Sequence, residues 1–335
     1  MISATAPARV GLLGNPSDGY GGRTLALAVP RFRATVSVEA ADELEIVPNQ
    51  DDHPRWPNVG DLVARVDHHG YGTGPQLLAA TVRTFADVAR SLERTEVDRM
   101  AFRVRYRTSI PRQVGLGGSS ALVVAALKAL SELTGIELPD HVLPSVALRV
   151  ETEQLGIAAG LQDRVVQTLG GLVAMNFGEM TTDARLGVAY GEYRPLDAAA
   201  LPPLFVAYRP GAAEPSGTYH GVLRRRFDAG DGEVREGLKA LAGLVVEGEA
   251  ALRWSNPDRL AELIAENMRL RRALAPIPDA QLELVEIAES LDVATTFAGS
   301  GGAVVGVHDG PDQLDRLTGA MAAVDADVVG LNQTD

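Results

Sequence analysis

The stretch Pro111-Arg-Gln-Val-Gly-Leu-Gly-Gly-Ser-Ser-Ala121, running into apolar residues 122–127, decides how this chain is read. Gly115, Gly117 and Gly118 remove side chains where a backbone must approach a ligand. Ser119 and Ser120 stand where an N-cap would open an apolar helix over residues 121–130. Such a site suits an anion, because unsatisfied amides and the positive end of the helix dipole face it and a first-turn hydroxyl can reach a metal ion. Two familiar phosphate loops do not match. No Lys follows the glycines, so G-x-x-x-x-G-K-[ST] is absent, and G-x-G-x-x-G would need Ser120 in place of its last glycine. A glycine turn that only admits close packing is the alternative, so other segments must decide.

With 335 residues the chain is long enough for two domains. A formal net charge of -13 argues against nucleic acid and anionic membranes as partners, while leaving room for a basic pocket that holds one small anion. Cys is absent, which excludes disulfides, thiolate nucleophiles and cysteine metal sites and fits a reducing compartment. No apolar run is long enough for a membrane span and no leader pattern opens the chain, so cytoplasm is the default expectation. Lys occurs only at Lys128 and Lys239, both in helical patterns, so phosphate or carboxylate recognition falls to Arg.

Outward from the glycine loop, residues 100–108 alternate like a half-buried strand that leads into it, and residues 76–92 carry apolar side chains at helical spacing. Upstream, residues 8–13 read as a strand and 14–22 as a loop; β-rich runs at 31–40 and 42–48 suggest a hairpin, and residues 48–60 an exposed loop. Downstream, 144–154 and 161–169 read as helices separated by 156–160, Gly170-Gly171 stops the second, and 172–177 is strand-like. The tract 178–203 is polar and irregular, with a domain boundary near its start that gives units 1–180 and 181–335. Residues 204–208 begin the second unit as a strand, and helices are expected at 232–253, 257–274 and 279–291. A second glycine element, Phe297-Ala-Gly-Ser-Gly-Gly-Ala303, precedes β-rich 304–307.

With three such segments in this order, the chain resembles the GHMP small-molecule kinases, the family of galactokinase, homoserine kinase and mevalonate kinase. Ala6-Pro-Ala-Arg-Val-Gly-Leu-Leu-Gly14 looks like their N-terminal motif, residues 111–121 like their nucleotide loop, and residues 297–303 like their C-terminal motif. Within the family the chain most resembles the glucuronokinase branch. That likeness rests on Ala8-Arg-Val-Gly-Leu-Leu-Gly-Asn-Pro-Ser-Asp18, Ile110-Pro-Arg-Gln-Val-Gly-Leu-Gly-Gly-Ser-Ser-Ala121, Gly160-Leu-Gln-Asp-Arg-Val165 and Phe297-Ala-Gly-Ser-Gly-Gly-Ala-Val304. The resemblance implies an α+β protein of two domains, a ribosomal-protein-S5-like N-terminal domain and a ferredoxin-like C-terminal domain, with ATP, Mg²⁺ and a sugar acceptor between them.

By the same resemblance, Pro111, Gly115, Leu116, Gly117, Gly118, Ser119, Ser120 and Ala121 cradle the nucleotide, and Ser120 with Glu151 holds Mg²⁺. Ser119 and Glu153 compete for those two metal roles. Asp163 lies twelve positions after Glu151, the separation that galactokinase-like members show between the metal ligand and the carboxylate that activates the acceptor. Capping of the helix at 161–169 is the alternative role for Asp163. Arg9 matches a basic position that favours an ionised catalytic Asp and the phosphoryl in transfer; otherwise it is a solvated Arg before a strand.

On the acceptor side the resemblance gives Asn15, Asp18 and Tyr20, in what could equally be an ordinary turn, together with Gly299, Ser300, Gly301 and Gly302. An acidic sugar needs a compensating cation, for which Arg112, Arg23 and Arg164 are candidates; His220 and Arg224 are candidates to close over phosphate or sugar, and adjacent His68 and His69 read as a solvated loop. The expected reaction is ATP-dependent phosphorylation of the anomeric hydroxyl of a hexuronic acid, D-glucuronate first. The alternatives are a galactokinase-like or heptose kinase, or a catalytically silent ligand sensor.

Overall fold

The structure, a computed structural model, describes residues 1–48, 74–210 and 217–331. Residues 49–60 of the expected loop and the His68-His69 pair lie outside them.

Strand β1 (Ile2–Leu13) is half-exposed at its start, and from Ala8 onward every residue is buried. That change of pattern marks where the strand passes from a sheet with one wet face into the centre of the molecule. It pairs antiparallel with the long β2 (Arg23–Ala40). On its other edge β2 carries two strands end to end: β4 (Phe102–Thr108) beside its second half and β5 (Leu172–Thr182) beside its first. β3 (Glu45–Ile46) adds in parallel outside β4, and β6 (Ala189–Leu196) antiparallel outside β5.

Two expectations change here. Residues 31–40 and 42–48 do not form a hairpin, because β2 is satisfied on both edges by β1 and β4. The tract expected to be irregular contains β6, an edge strand in which only Gly191 is buried, so it lacks the alternation that betrays a strand. The anticipated division at 180/181 falls inside β5, and the chain changes sheets between Leu196 and Leu204.

The helices of this first unit are α1 (Gly74–Ser91), α2 (Gly118–Thr134), α3 (Leu143–Arg149), which continues into a π-helical turn (Val150–Gln154), and α4 (Gln162–Leu169). α2 is buried without interruption from Ser120 to Leu127, as expected of a helix that is apolar on all sides, and it packs on β1 and β2 with α4 beside it.

The second unit is an antiparallel sheet in the order β10 (Asp327–Leu331), β7 (Leu204–Tyr208), β9 (Ala303–Val307), β8 (Thr295–Phe297). Its helices are α5 (Gly217–Asp228), α6 (Gly232–Arg253), α7 (Pro257–Leu274), α8 (Asp279–Glu289) and α9 (Pro311–Ala322). α6 and α7 start where their caps dictate: Asp231 accepts from the amides of Glu233 and Val234, and Asn256 from that of Arg259, with Pro257 following. α6 crosses onto the first sheet at Gly248, where any Cβ would meet the Leu13 side chain at 2.3 Å. One apolar core thus runs through both units, from Leu12 and Leu127 to Leu241 and Val206. No described helix is long and apolar enough to cross a membrane.

Candidate active site

Arg9 sits where β1 becomes fully buried, and its guanidinium organises the site. Nε and Nη2 donate to the two oxygens of Asp163, each at 2.6 Å, in the fork geometry that a planar guanidinium forms with a carboxylate. Nη1 donates to the carbonyl of Gly115 at 2.6 Å and lies 3.4 Å from that of Ala298. Arg9 is 5 % exposed, so the reading of it as a solvated residue does not hold. One side chain therefore joins the N-terminal motif, the central glycine loop, the C-terminal glycine motif and Asp163.

The glycine loops meet backbone to backbone around this point. The Gly11 amide donates to Ala298 O at 2.7 Å and the Arg9 amide to Leu116 O at 3.2 Å, so β1 lies between the loops. Gly115, at φ +77°, has Gly301 O 2.3 Å from where a Cβ would stand, a conformation and a space that only glycine fits. Gly299 is as tightly set, with Gly115 O 2.2 Å from its Cβ position, while Gly302 abuts Val114 and Ser300 is half-buried.

The N-cap of α2 is Gly117, in the left-handed conformation, and not a serine as the sequence suggested. No side chain caps the helix, so its first-turn amides are left for a ligand, which is the property a phosphate cradle requires. Ser119 is exposed; Ser120 is buried and its Oγ donates to Gly117 O at 3.1 Å. Asp163 Oδ2 and Ser120 Oγ each lie 3.4 Å from the Cβ position of Gly117, so carboxylate and hydroxyl face one spot. The Ser120 hydroxyl beside uncapped amides fits Mg²⁺, which keeps few protein ligands and takes the rest from phosphate and water. Glu151 is turned elsewhere: it is buried and bonded to Arg164 Nη2, whose Nη1 donates to Gly160 O at 2.5 Å. Burial opposes the Arg164 charge, yet the Glu151 and Asp163 carboxylates outweigh it and hold its pKa above the ordinary value. Arg164 is thereby withdrawn from the cations available to a substrate, and Glu151 can serve a metal only by exchanging its Arg164 contact. Glu153, the rival, is exposed and paired with Arg149.

Asp163 stands in the first turn of α4, a short helix held at both ends. Asp18 Oδ2 accepts from the Gln162 amide at 3.3 Å, and Lys128 Nζ reaches the carbonyls of Thr168 at 3.0 Å and Gln167 at 3.3 Å. A carboxylate at the N-terminus and an ammonium at the C-terminus both oppose the helix dipole. Burial pushes the Asp18 carboxyl up to about 6, reinforced by the Asp163 charge and opposed by the Gln162 and Gly19 amides and Arg164.

The remaining acceptor candidates divide. Asn15, 8 % exposed, points its Oδ1 at Arg271 Nη1, 3.0 Å away. Tyr20 packs against α5, with its ring 4.8 Å from that of Phe227 and the Arg224 guanidinium 4.3 Å over its face. Arg224 also donates to Gly19 O at 2.6 Å, so it closes on the loop itself. Arg112 and Arg23 are exposed, and the His220 side chain lies outside the described residues.

Three residues that sequence reasoning missed complete the surroundings. Asn267 accepts from the Gly14 amide at 2.8 Å and donates to Thr296 Oγ1 at 2.9 Å, while Arg271, one turn further along α7, donates to Asn15 and to Gly299 O at 2.9 Å. The third, Gln162, is buried with neither amide atom hydrogen-bonded among the described residues, and its Nε2 lies 3.1 Å from the Cβ position of Gly11. The spacing of α7 carried a signal, since Leu260, Leu263, Ile264, Asn267, Met268, Arg271 and Leu274 form its buried stripe and two of them are polar.

Residues 76–171 match the family profile described as the GHMP kinases N terminal domain. The chain is 38% identical over 317 residues to Glucuronokinase 1 of Arabidopsis thaliana, across 92% of this chain and 86% of that protein. It is 28% identical over 312 residues to the mevalonate kinase of Pyrococcus furiosus, across 90% and 87%. The phosphomevalonate kinase of Streptococcus pneumoniae, solved with phosphomevalonate and AMPPNP, shares the fold with a TM-score of 0.77 at 15% identity, over 98% of this chain and 100% of that one.

Proposed function

The chain belongs to the GHMP kinase family, with that family's two-domain α+β architecture, and from this premise we propose that it transfers the terminal phosphoryl group of ATP to the anomeric hydroxyl of a hexuronic acid, D-glucuronate foremost. The observation that carries the reading is the Arg9–Asp163 fork, 2.6 Å on each side, bonded at the same time to the central glycine loop. It supports a site in which a carboxylate of fixed orientation stands beside a phosphate cradle. The uronate follows from the likeness to a plant glucuronokinase over most of both chains.

Mg²⁺-ATP, when bound, supplies the phosphoryl group and the charge that the metal neutralises. In our reading the uncapped amides of Gly118, Ser119 and Ser120 hold the phosphates, and Ser120 Oγ contributes the first protein oxygen toward the metal, with Glu151 joining it after leaving Arg164. Asp163, held by Arg9, orients the acceptor hydroxyl and receives its proton as the phosphorus–oxygen bond forms. A loose phosphoryl transition state asks mainly for this positioning and for nearby positive charge, which Arg9 brings. Asp18, Asn15 and the Gly299–Gly302 backbone contact the sugar.

The test is phosphate transfer from ATP across D-glucuronate, D-galacturonate, D-glucose, D-galactose and a heptose, with the phosphorylated position read by NMR. Selective 1-phosphorylation of D-glucuronate is expected. A neutral hexose or heptose as the preferred acceptor refutes the uronate assignment, and ligand binding without transfer to any acceptor refutes the kinase.

A further inference from the structure

We propose that Arg271 is the positioning residue for recognition of an acidic acceptor: it fixes the Asn15 amide so that only its N–H donors face the ligand, and it holds a positive charge directly behind them. The inference rests on the uronate-kinase reading above and gives that reading a specificity determinant.

The argument starts from what a guanidinium can do. Arg271 has donors and no acceptor, so the amide atom that meets it must be the oxygen of Asn15 and the orientation of the amide is decided by chemistry. The Nη1–Oδ1 distance is 3.0 Å, and Arg271 itself is 1 % exposed, stacked with its guanidinium carbon 5.2 Å from the Phe297 ring centre and anchored by Nη2 on Gly299 O. An Asn held in this way cannot flip without stranding the guanidinium donor. Its Nδ2 makes no hydrogen bond among the described residues and is the only part of the amide left to read a ligand.

A donor of this kind, polarised by a cation behind it, discriminates. A hexose carries a hydroxyl at C6, which both donates and accepts, whereas a hexuronate carries a carboxylate, which only accepts. The arrangement therefore favours the acid through a charge-assisted hydrogen bond and through the field of Arg271. The same reasoning explains why the exposed Arg23 and Arg112, and Arg164 in its pairing with Glu151, are not needed for the task. The anchoring is mutual: Asn267, four residues before Arg271 and on the same face of α7, holds Gly14, so the loop that carries Asn15 is set from one helix.

The test compares Asn15→Asp with Arg271→Gln. An aspartate fits the same cradle and pairs with Arg271, so the first variant keeps its fold while it places a negative charge where the acceptor carboxylate would lie. Affinity for D-glucuronate by calorimetry, and the ratio of kcat/KM for D-glucuronate over D-glucose, are measured with the full chain, together with KM for ATP. The expected result is a fall of at least tenfold in D-glucuronate affinity and in the ratio for Asn15→Asp. A smaller fall in the same direction is expected for Arg271→Gln, with KM for ATP within threefold of wild type in both. If wild type prefers D-glucuronate and a folded Asn15→Asp keeps that preference, the assignment to Arg271 and Asn15 is overturned and the uronate reading stands. If wild type shows no preference for the uronate, both are overturned.

Discussion

Replacing Arg9 by Lys keeps the charge and removes the fork. In the structure the guanidinium makes three hydrogen bonds of 2.6 Å from three different nitrogens, two to Asp163 and one to Gly115 O. An ammonium offers a single nitrogen and cannot span both carboxylate oxygens and the loop carbonyl in this geometry. Two charge-assisted bonds are lost, each worth about 1.5–3 kcal/mol. Asp163 is 21% exposed on its side chain, so water replaces part of that and the low end applies, about 3 kcal/mol in total. If the fork orients Asp163 in the transition state, the loss appears in kcat as a fall on the order of 10²-fold. KM for ATP and for the sugar should move less than threefold, because neither ligand is bound by the lost contacts. Steady-state kinetics with a coupled assay for ADP, alongside thermal unfolding, separates the two consequences. An Arg9→Lys enzyme with kcat within threefold of wild type and a lowered melting temperature would show that Arg9 only holds the fold together, and the catalytic argument would fail.

Asp163→Asn should retain ATP binding and lose about 10²–10⁴-fold in kcat, the range of a lost acid–base contribution; rapid turnover with intact binding would remove Asp163 from the reaction. Glu151→Gln should raise the Mg²⁺ concentration for half-maximal rate several-fold and lower the melting temperature by leaving Arg164 buried beside a neutral group; an unchanged Mg²⁺ dependence would assign Glu151 to Arg164 alone. For Asp18 the folded pKa is raised from 3.8 to about 6, so the protonated form favours folding, that contribution is complete below pH 4, and it is lost as pH rises through 6. Asp18→Asn should therefore melt higher than wild type at pH 7.5, by on the order of 2 kcal/mol, and match it near pH 4; a difference independent of pH would refute the burial of this carboxyl.

Much of the site was legible because its parts are local. Gly115, Gly117 and the C-terminal glycines announce a backbone that must come close to something, and at Gly115 and Gly299 what comes close is the backbone of the other glycine loop. The α6 and α7 boundaries agree with the expected ranges, and the caps that fix their starts, Asp231 and Asn256-Pro257, act within one turn. What was not legible depends on partners distant in sequence. The pairing of residues 45–46 with β4 is a register, and a two-residue strand has no pattern of its own to declare it. Glu151 carried a metal role by resemblance, while its contact with Arg164 is settled by the return of the chain thirteen residues later. Arg271 lies in the run Arg269-Leu270-Arg271-Arg272, which reads as a solvated face; Arg269 and Arg272 do pair with exposed acids there, and only the 3.6-residue period assigns Arg271 to the inside.

Arg9, Asp163, Asp18, Ser120 and Lys128 all belong to the first unit, whereas Asn267 and Arg271 reach across from the second. The fork thus lies within one body, and two sets of contacts cross the seam: those of Asn267 and Arg271 to Gly14 and Asn15, and those of Ala298 O to Gly11 and Arg9. The carboxylate is therefore oriented by its own unit, while the setting of the Gly14–Asn15 loop depends on a helix of the other, so a change in α7 alters that loop without touching the Arg9–Asp163 pair.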